Sequence, residues 1–256
     1  MKIVVCMKQT PSKDSILRTS ADGAGLDLSQ TEFETNEPDS YALEEALRLK
    51  DEHSAEVVAI TAGAANTTTA IRDALAKGAD RGILIEDDLF AGVAEPLATA
   101  IALAVAIRKE SPDLVLTGLQ SDDVGFGQTG VVLAELLGLP HATLIVELRT
   151  DGATLDVKRE LEAGWFQRLQ LPLPALLTIQ SGINKPRYAT LMGIKKAKKK
   201  PLDRLPLGEL DAAVSPGLVV QRLYAPTKQK TGTLLTGTPA EQAAQLLTKL
   251  REAKVL

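Results

Sequence analysis

Two adjacent carboxylates, Asp122 and Asp123, stand in a glycine-rich stretch, with Gln128 and Thr129 close behind. The stretch runs LVLTGLQSDDVGFGQTGVVLAELLGLP, from Leu114 to Pro140. Leu114–Leu116 is a short apolar run, the pattern of a strand buried in a parallel sheet. Val131–Leu137 has the apolar pattern of a helix, with Gly138 placed to cap its end and Pro140 to stop it. A strand, a glycine-rich turn and a helix N-terminus make a phosphate-sized anion site. Backbone N–H groups point outward there, and the helix dipole adds roughly +0.5 charge. Gly118, Gly125, Gly127 and Gly130 let the chain approach a ligand closely. The spacing is neither G-x-G-x-x-G nor G-x-x-x-x-G-K-[ST], and the missing lysine argues against a phosphotransferase. The plain alternative is an ordinary turn with Asp122 or Asp123 as a solvated cap.

Little else in the chain is equipped for bond-making. Cys6 is the single cysteine, so no intrachain disulfide forms, and it sits in an apolar run where it packs rather than reacts. His53 and His141 are the only histidines and neither has a metal-ligand neighbourhood, which argues against a zinc site or a histidine triad. No metal ligand and no catalytic residue is expected. The net charge is −4, so the whole chain is no nucleic-acid polycation, although Lys195–Lys200 is strongly basic. That run admits several plain readings: a solvated helix end, an anionic-lipid patch or a nucleic-acid patch. No aromatic residues follow it as a nucleic-acid surface would require. Leu191 and Met192 just before it form an apolar pair beside the charge, the form of a protein-docking anchor. No signal-peptide pattern opens the sequence and no apolar run reaches membrane-spanning length. A cytoplasmic chain without direct membrane insertion is expected.

The elements that position these residues follow from hydrophobic pattern. Lys2–Met7, Val57–Ile60, Gly82–Ile85 and Leu114–Thr117 read as buried strands. Asn36-Glu37-Pro38-Asp39 opens a helix to about Lys50, with Glu44 four residues before Arg48 as an ion pair. Ala70–Lys77 and Pro96–Lys109 are further helices. The turn-rich Ser20–Gly25 could join a hairpin. The first ~140 residues therefore read βαβαβαβα, a doubly wound parallel sheet with right-handed crossovers. Cys6–Gln9, Thr61–Gly63 and Gly118–Gly130 converge at one crevice of such a sheet.

After Pro140 the pattern changes. Ala142–Leu148 and Ala153–Arg159 flank Asp151-Gly152 as a hairpin. Arg168–Leu171 and Ala175–Ile179 are read as further antiparallel strands extending the sheet. Leu202–Gly217 reads as a proline-spaced linker, and Val219–Leu223 as one possible strand. Thr238-Pro239-Ala240-Glu241 is a capping box opening a helix to about Glu252. The expected division is 1–200, an α/β nucleotide-binding domain including a loop at 184–200, and 201–256, a linker and C-terminal arm.

These residues carry a resemblance. Val157–Thr178, VKRELEAGWFQRLQLPLPALLT, is similar to the signature of the electron transfer flavoprotein β subunit. Asn184–Lys200, NKPRYATLMGIKKAKKK, resembles the family phrase N-x-P-R-Y-A-T-L and the lysine-rich helix after it. Ile71–Ile85 and Gln128–Gly130 also look like family sequence, so the resemblance spans nearly the full chain. Ala163, Trp165 and Phe166 depart from it, standing where small or acidic residues are the family's habit. Asn36-Glu37-Pro38-Asp39 lacks the family's commoner Asn-Pro pair.

The resemblance implies a doubly wound, mostly parallel sheet of the adenine-nucleotide α-hydrolase-like kind, with an antiparallel extension and a C-terminal helical arm. It implies an electron-carrier subunit rather than an enzyme. The α subunit holds most of the FAD; the β subunit binds a structural AMP. By resemblance the AMP falls to Cys6, Met7, Lys8, Asn36, Glu37, Pro38, Asp39, Ala62 and the loop Ser121, Asp122, Asp123, Val124, Gly125, Phe126, Gly127, Gln128, Thr129 and Gly130. Electrons come from acyl-CoA dehydrogenases or related flavoenzymes and go to a quinone oxidoreductase. Partner recognition falls to Arg187, Tyr188, Ala189, Thr190, Leu191, Met192, Gly193, Ile194, Lys195 and Lys196, with Leu191 as anchor; Arg187 and Tyr188 could instead only fix the loop backbone. Two other readings remain: a bifurcating subunit with a second FAD that oxidises NADH, and a stand-alone adenine-nucleotide-binding module.

Overall fold

The computed structural model describes residues 1–21, 23–92, 95–215, 217–226 and 232–256. The chain opens with Lys2–Cys6 (β1), then Gln9–Pro11 (β2) and Phe33–Thr35 (β3), which pair as a small antiparallel ribbon. Between them Thr19 and Leu26 pair across the expected turn, in which Asp22 lies outside the described residues. Glu37–His53 (α1), Glu56–Gly63 (β4), Thr69–Lys77 (α2), Arg81–Glu86 (β5), Pro96–Glu110 (α3), Leu114–Gly118 (β6) and Thr129–Leu137 (α4) complete the wound half. Next come His141–Thr150 (β7), Thr154–Glu160 (β8), Phe166–Pro172 (β9), Ala175–Ile179 (β10), Leu191–Ala197 (α5), Leu202–Pro206 (β11) and Pro239–Glu252 (α6).

Nine strands form one sheet in the order β11-β5-β4-β1-β6-β10-β7-β8-β9. Its central strands are apolar on both faces. Ile3 and Val5 belong to the layer with Leu43, Leu47, Ile71 and Leu75, from α1 and α2. Val4 and Cys6 belong to the layer with Leu103, Ile107 and Leu133, from α3 and α4. Helices on both faces are what a parallel sheet with right-handed crossovers requires. Proline at the first turn starts α1, α3 and α6, where its missing N–H costs nothing.

Three expectations are corrected. Ala175–Ile179 is no antiparallel edge: β10 lies between β6 and β7 and is parallel to both. All five of its residues are buried, so the run needs cover from two neighbours as well as two layers. The antiparallel extension is β7–β8–β9 alone. The stretch read as linker begins with β11, parallel to β5 at the far edge. Three of its five positions face solvent, which removes the apolar run by which a strand is recognised. Beyond it Leu207, Leu210, Ala212 and Val214 pack on the α3 layer; Pro216 lies outside the described residues. Val219–Leu223 is not a strand.

Met1–Leu223 is one compact unit and Tyr224–Leu256 a second. The second contains α6, started by the expected capping box: Thr238 accepts from Glu241 N, and Glu241 Oε2 accepts from Thr238 N at 2.7 Å. Leu246 and Leu247 on this helix remain 49% and 42% exposed.

Candidate functional site

The C-terminal ends of β1, β4 and β6 open onto a cleft of about 870 Å³, within the ~300–1,000 Å³ common for small-molecule sites. It lies where β4 and β6 leave β1 in opposite directions, the switch point of an open α/β sheet. Cys6, Met7, Lys8, Asn36, Asp39, Ala62, Ser121, Asp122, Asp123, Val124, Phe126, Gly127, Gln128, Thr129 and Gly130 line it. Glu37, Pro38 and Gly125 stand beside this lining rather than in it. Thr99 was not legible from sequence; it lines the cleft, and its buried hydroxyl has no hydrogen-bond partner among the described residues. A polar ligand atom would satisfy it.

The loop after β6 is tied to the first turn of α1. Asn36 does not cap its own helix. Its Nδ2 donates to Gln120 O at 3.0 Å, and its Oδ1 accepts from Asp122 N at 2.9 Å. Asp122 in turn accepts from Glu37 N at 3.0 Å. Lys8 Nζ donates to Asp123 at 2.7 Å. Burial opposes the charge on Asp123, but hydrogen bonds from Lys8 and Ser121 outweigh it and hold the carboxyl below its usual range. Neither aspartate is a merely solvated cap.

Asp39 is buried and accepts from Lys8 N at 2.7 Å and Gly118 N at 3.1 Å. Burial pushes its pKa up to about 7, against the pull of those N–H groups. Burial also raises the Cys6 thiol, with Asp39 adding to it, so Cys6 is packing and not a nucleophile. The N-terminus of α4 has no side-chain cap and opens into the cleft. Gly130 serves a different need from ligand approach. A Cβ there would lie 2.7 Å from Thr117 Oγ1 and Thr178 Cγ2, so it sets how closely α4 sits on β6 and β10.

The second candidate surface is residues 184–200. Leu191 and Met192 begin α5 rather than a loop. Tyr188 is 90% exposed, Leu191 81% and Met192 61%; Ile194 is also exposed. The backbone beneath them is fixed. Arg187 N and Nε donate to Glu44 Oε2 at 3.0 and 2.9 Å, and Nη2 donates to Glu44 Oε1 and to Asp51 Oδ2. Glu44 therefore faces Arg187, and Arg48 pairs with Glu45 instead of the expected Glu44. Asn184 Nδ2 donates to Tyr41 O and Glu45 Oε2. Thr190 caps α5 by accepting from Gly193 N. A Cβ on Gly193 would lie 2.2 Å from Ala76 O, so α5 is seated directly on α2. Ala189 is half-buried, while Lys195 and Lys196 are exposed.

A family profile described as "Electron transfer flavoprotein domain" matches residues 26–210. The electron transfer flavoprotein subunit beta of Methylophilus methylotrophus is 36% identical, over 99% of each chain. That of Bacillus subtilis (strain 168) is 38% identical, over all of both chains. The mitochondrial one of Oryza sativa subsp. japonica is 34% identical, again over all of both.

The chain belongs to the electron transfer flavoprotein β subunits.

As a β subunit it is part of an electron carrier whose other part is an α subunit. The hairpin that carries the family-like signature is β8–β9 and its approach to β10. Its departures fall at the tip. Ala163 has φ of 56°, and Trp165 and Phe166 are exposed. Lys158 Nζ lies 4.3 Å from the centre of the Phe166 ring, a cation–π contact. No helix among the described residues is long and apolar enough to cross a membrane, and no group of three or more acidic, cysteine or histidine residues is placed to hold a metal.

Proposed function

We propose that this β subunit binds AMP in the cleft at the switch point and docks the dehydrogenase through the exposed side chains of residues 188–194. The FAD, which supplies the redox chemistry when bound, is held mainly by the α subunit. The dimer accepts electrons from acyl-CoA or related dehydrogenases and delivers them to a quinone oxidoreductase, in the cytoplasm. The AMP phosphate would meet the uncapped start of α4, around Gln128–Gly130, with Thr99 offering a further polar contact. The observation that carries the docking half is a patch of exposed apolar side chains on an immobilised backbone. Leu191 is 81% exposed while Arg187, four residues before it, is locked to a buried carboxylate. An apolar anchor ringed by charge is how partners are held, and the lysines after it would steer the encounter.

Two measurements test this. Leu191→Ala should weaken electron uptake from an acyl-CoA dehydrogenase by an amount matching ~2 kcal/mol, with FAD content, AMP content and melting near wild type. Lys198→Ala and Lys199→Ala should do less and fade at high salt. Unchanged uptake by Leu191→Ala ends the docking reading. Acid extraction of the heterodimer counts flavin: one FAD per dimer supports AMP in the cleft, and two support the bifurcating alternative. The loop SDDVGFGQTG favours AMP.

A further inference from the structure

The exposed patch presents four large apolar side chains to solvent, yet its backbone is bound to a part of the chain distant in sequence. We infer that Glu44 is a positioning residue for partner docking: its buried carboxylate holds residues 184–190 so that Leu191 is presented ready to bind. The inference rests on the docking reading above.

The geometry is one-sided. Glu44 has 9% of its side chain exposed, and three Arg187 groups converge on it: the backbone N–H, Nε and Nη2. One carboxylate thus fixes both the path of the chain and the direction of the guanidinium. The paired fork is the geometry arginine is suited to and lysine is not. Glu45 holds Asn184 in the same way, at 2.9 Å. Both acids lie on the middle of α1, whose neighbours Ala42, Leu43, Ala46 and Leu47 are locked in the core. The loop therefore inherits the rigidity of the sheet layer. Without this clamp the apolar side chains would sample many positions, and ordering them would fall to the binding step. Nothing in the reaction needs a carboxylate at Glu44; its contribution is to where Leu191 stands.

The test uses the intact heterodimer, with an acyl-CoA dehydrogenase reduced by octanoyl-CoA as electron donor. Glu44→Gln should raise the KM for the dehydrogenase roughly tenfold with kcat near wild type, because re-ordering a single loosened anchor side chain at docking costs about that much affinity. Hydrogen exchange in residues 184–193 should quicken, while AMP and FAD content stay unchanged. Since Glu44→Gln leaves a partly buried guanidinium with Asp51 as its remaining ion partner, the double variant Glu44→Met/Arg187→Met is the companion: the one charge it leaves unpaired, Asp51, is exposed, and it should show the same rise in KM with wild-type melting. Leu191→Ala is the reference. If it raises KM and both clamp variants do not, the positioning role is overturned and the docking reading stands. If Leu191→Ala leaves KM unchanged, the docking reading falls and the positioning role with it.

Discussion

Asp122 accepts the backbone N–H of Glu37 at 3.0 Å, so the first turn of α1 is capped from across the cleft. With Asn36 bonded back to the same loop, the wall of the cleft and the start of the helix form one hydrogen-bonded unit. Asp122→Ala should cost about 1 kcal/mol, the usual worth of a cap, or a few degrees of melting temperature for a chain this long. Nucleotide retained through gel filtration, measured by chromatography of the extract, should fall as well. Full retention at a lowered melting temperature would separate the cap from the ligand site.

Asp39 predicts a pH dependence. Its folded pKa is raised to about 7 from 3.8, chiefly by burial. A raised folded value means the group favours folding below its unfolded pKa, and that contribution is lost as pH climbs from about 4 to about 7. The full loss is of the order of 4 kcal/mol, at ~1.4 kcal/mol per unit. Urea unfolding of wild type and Asp39→Asn at pH 5 and pH 8 isolates it. The stability difference between the two proteins should move against wild type as pH rises, and a constant difference would contradict the assignment.

Gly130→Ala tests packing. The new Cβ meets Thr117 and Thr178 at 2.7 Å, so α4 must shift, at a typical overpacking cost of ~1–3 kcal/mol. The urea midpoint should drop accordingly. Glycine content made this loop look like a place of ligand approach, and a charged substitution at Gly130 would report mainly on this contact.

Deleting residues 224–256 should leave the first unit folded, since it carries both core layers. Association with the α subunit should weaken, because the Leu246–Leu247 face of α6 is open to a partner. Far-UV circular dichroism of the truncated chain and its co-purification with α decide between a docking arm and a dispensable tail.

Much of this architecture was legible because local chemistry repeats it. Prolines mark three helix starts, and both-face burial makes β1, β4 and β6 read as apolar runs. Thr238 and Glu241 announce α6 outright. The cleft was legible for the same reason, since strand ends in a parallel sheet share one side. What was hidden depends on partners far along the chain. Ala175–Ile179 has the composition of a central strand, but nothing within it says that β6 and β7 are its neighbours. Glu44 sits four residues from Arg48, and helical spacing gave no sign of Arg187, 143 positions away. Thr99 lies in an alanine-rich helix and looks like any small residue until the cleft is seen.

The insertion of β10 between β6 and β7 has a consequence for synthesis. Leu119 N donates to Ile179 O, and Gly130 rests on Thr178, so the glycine-rich loop is backed by a strand made well after it. A nascent chain that has emerged only through α4 holds β6 with one bare edge of unpaired backbone N–H and C=O groups, the kind of surface that recruits wrong strands. The cleft cannot mature vectorially with the half of the chain that supplies most of its lining. It waits for Ala175–Ile179, and any pause in translation before that point prolongs the interval in which chaperones have most to do.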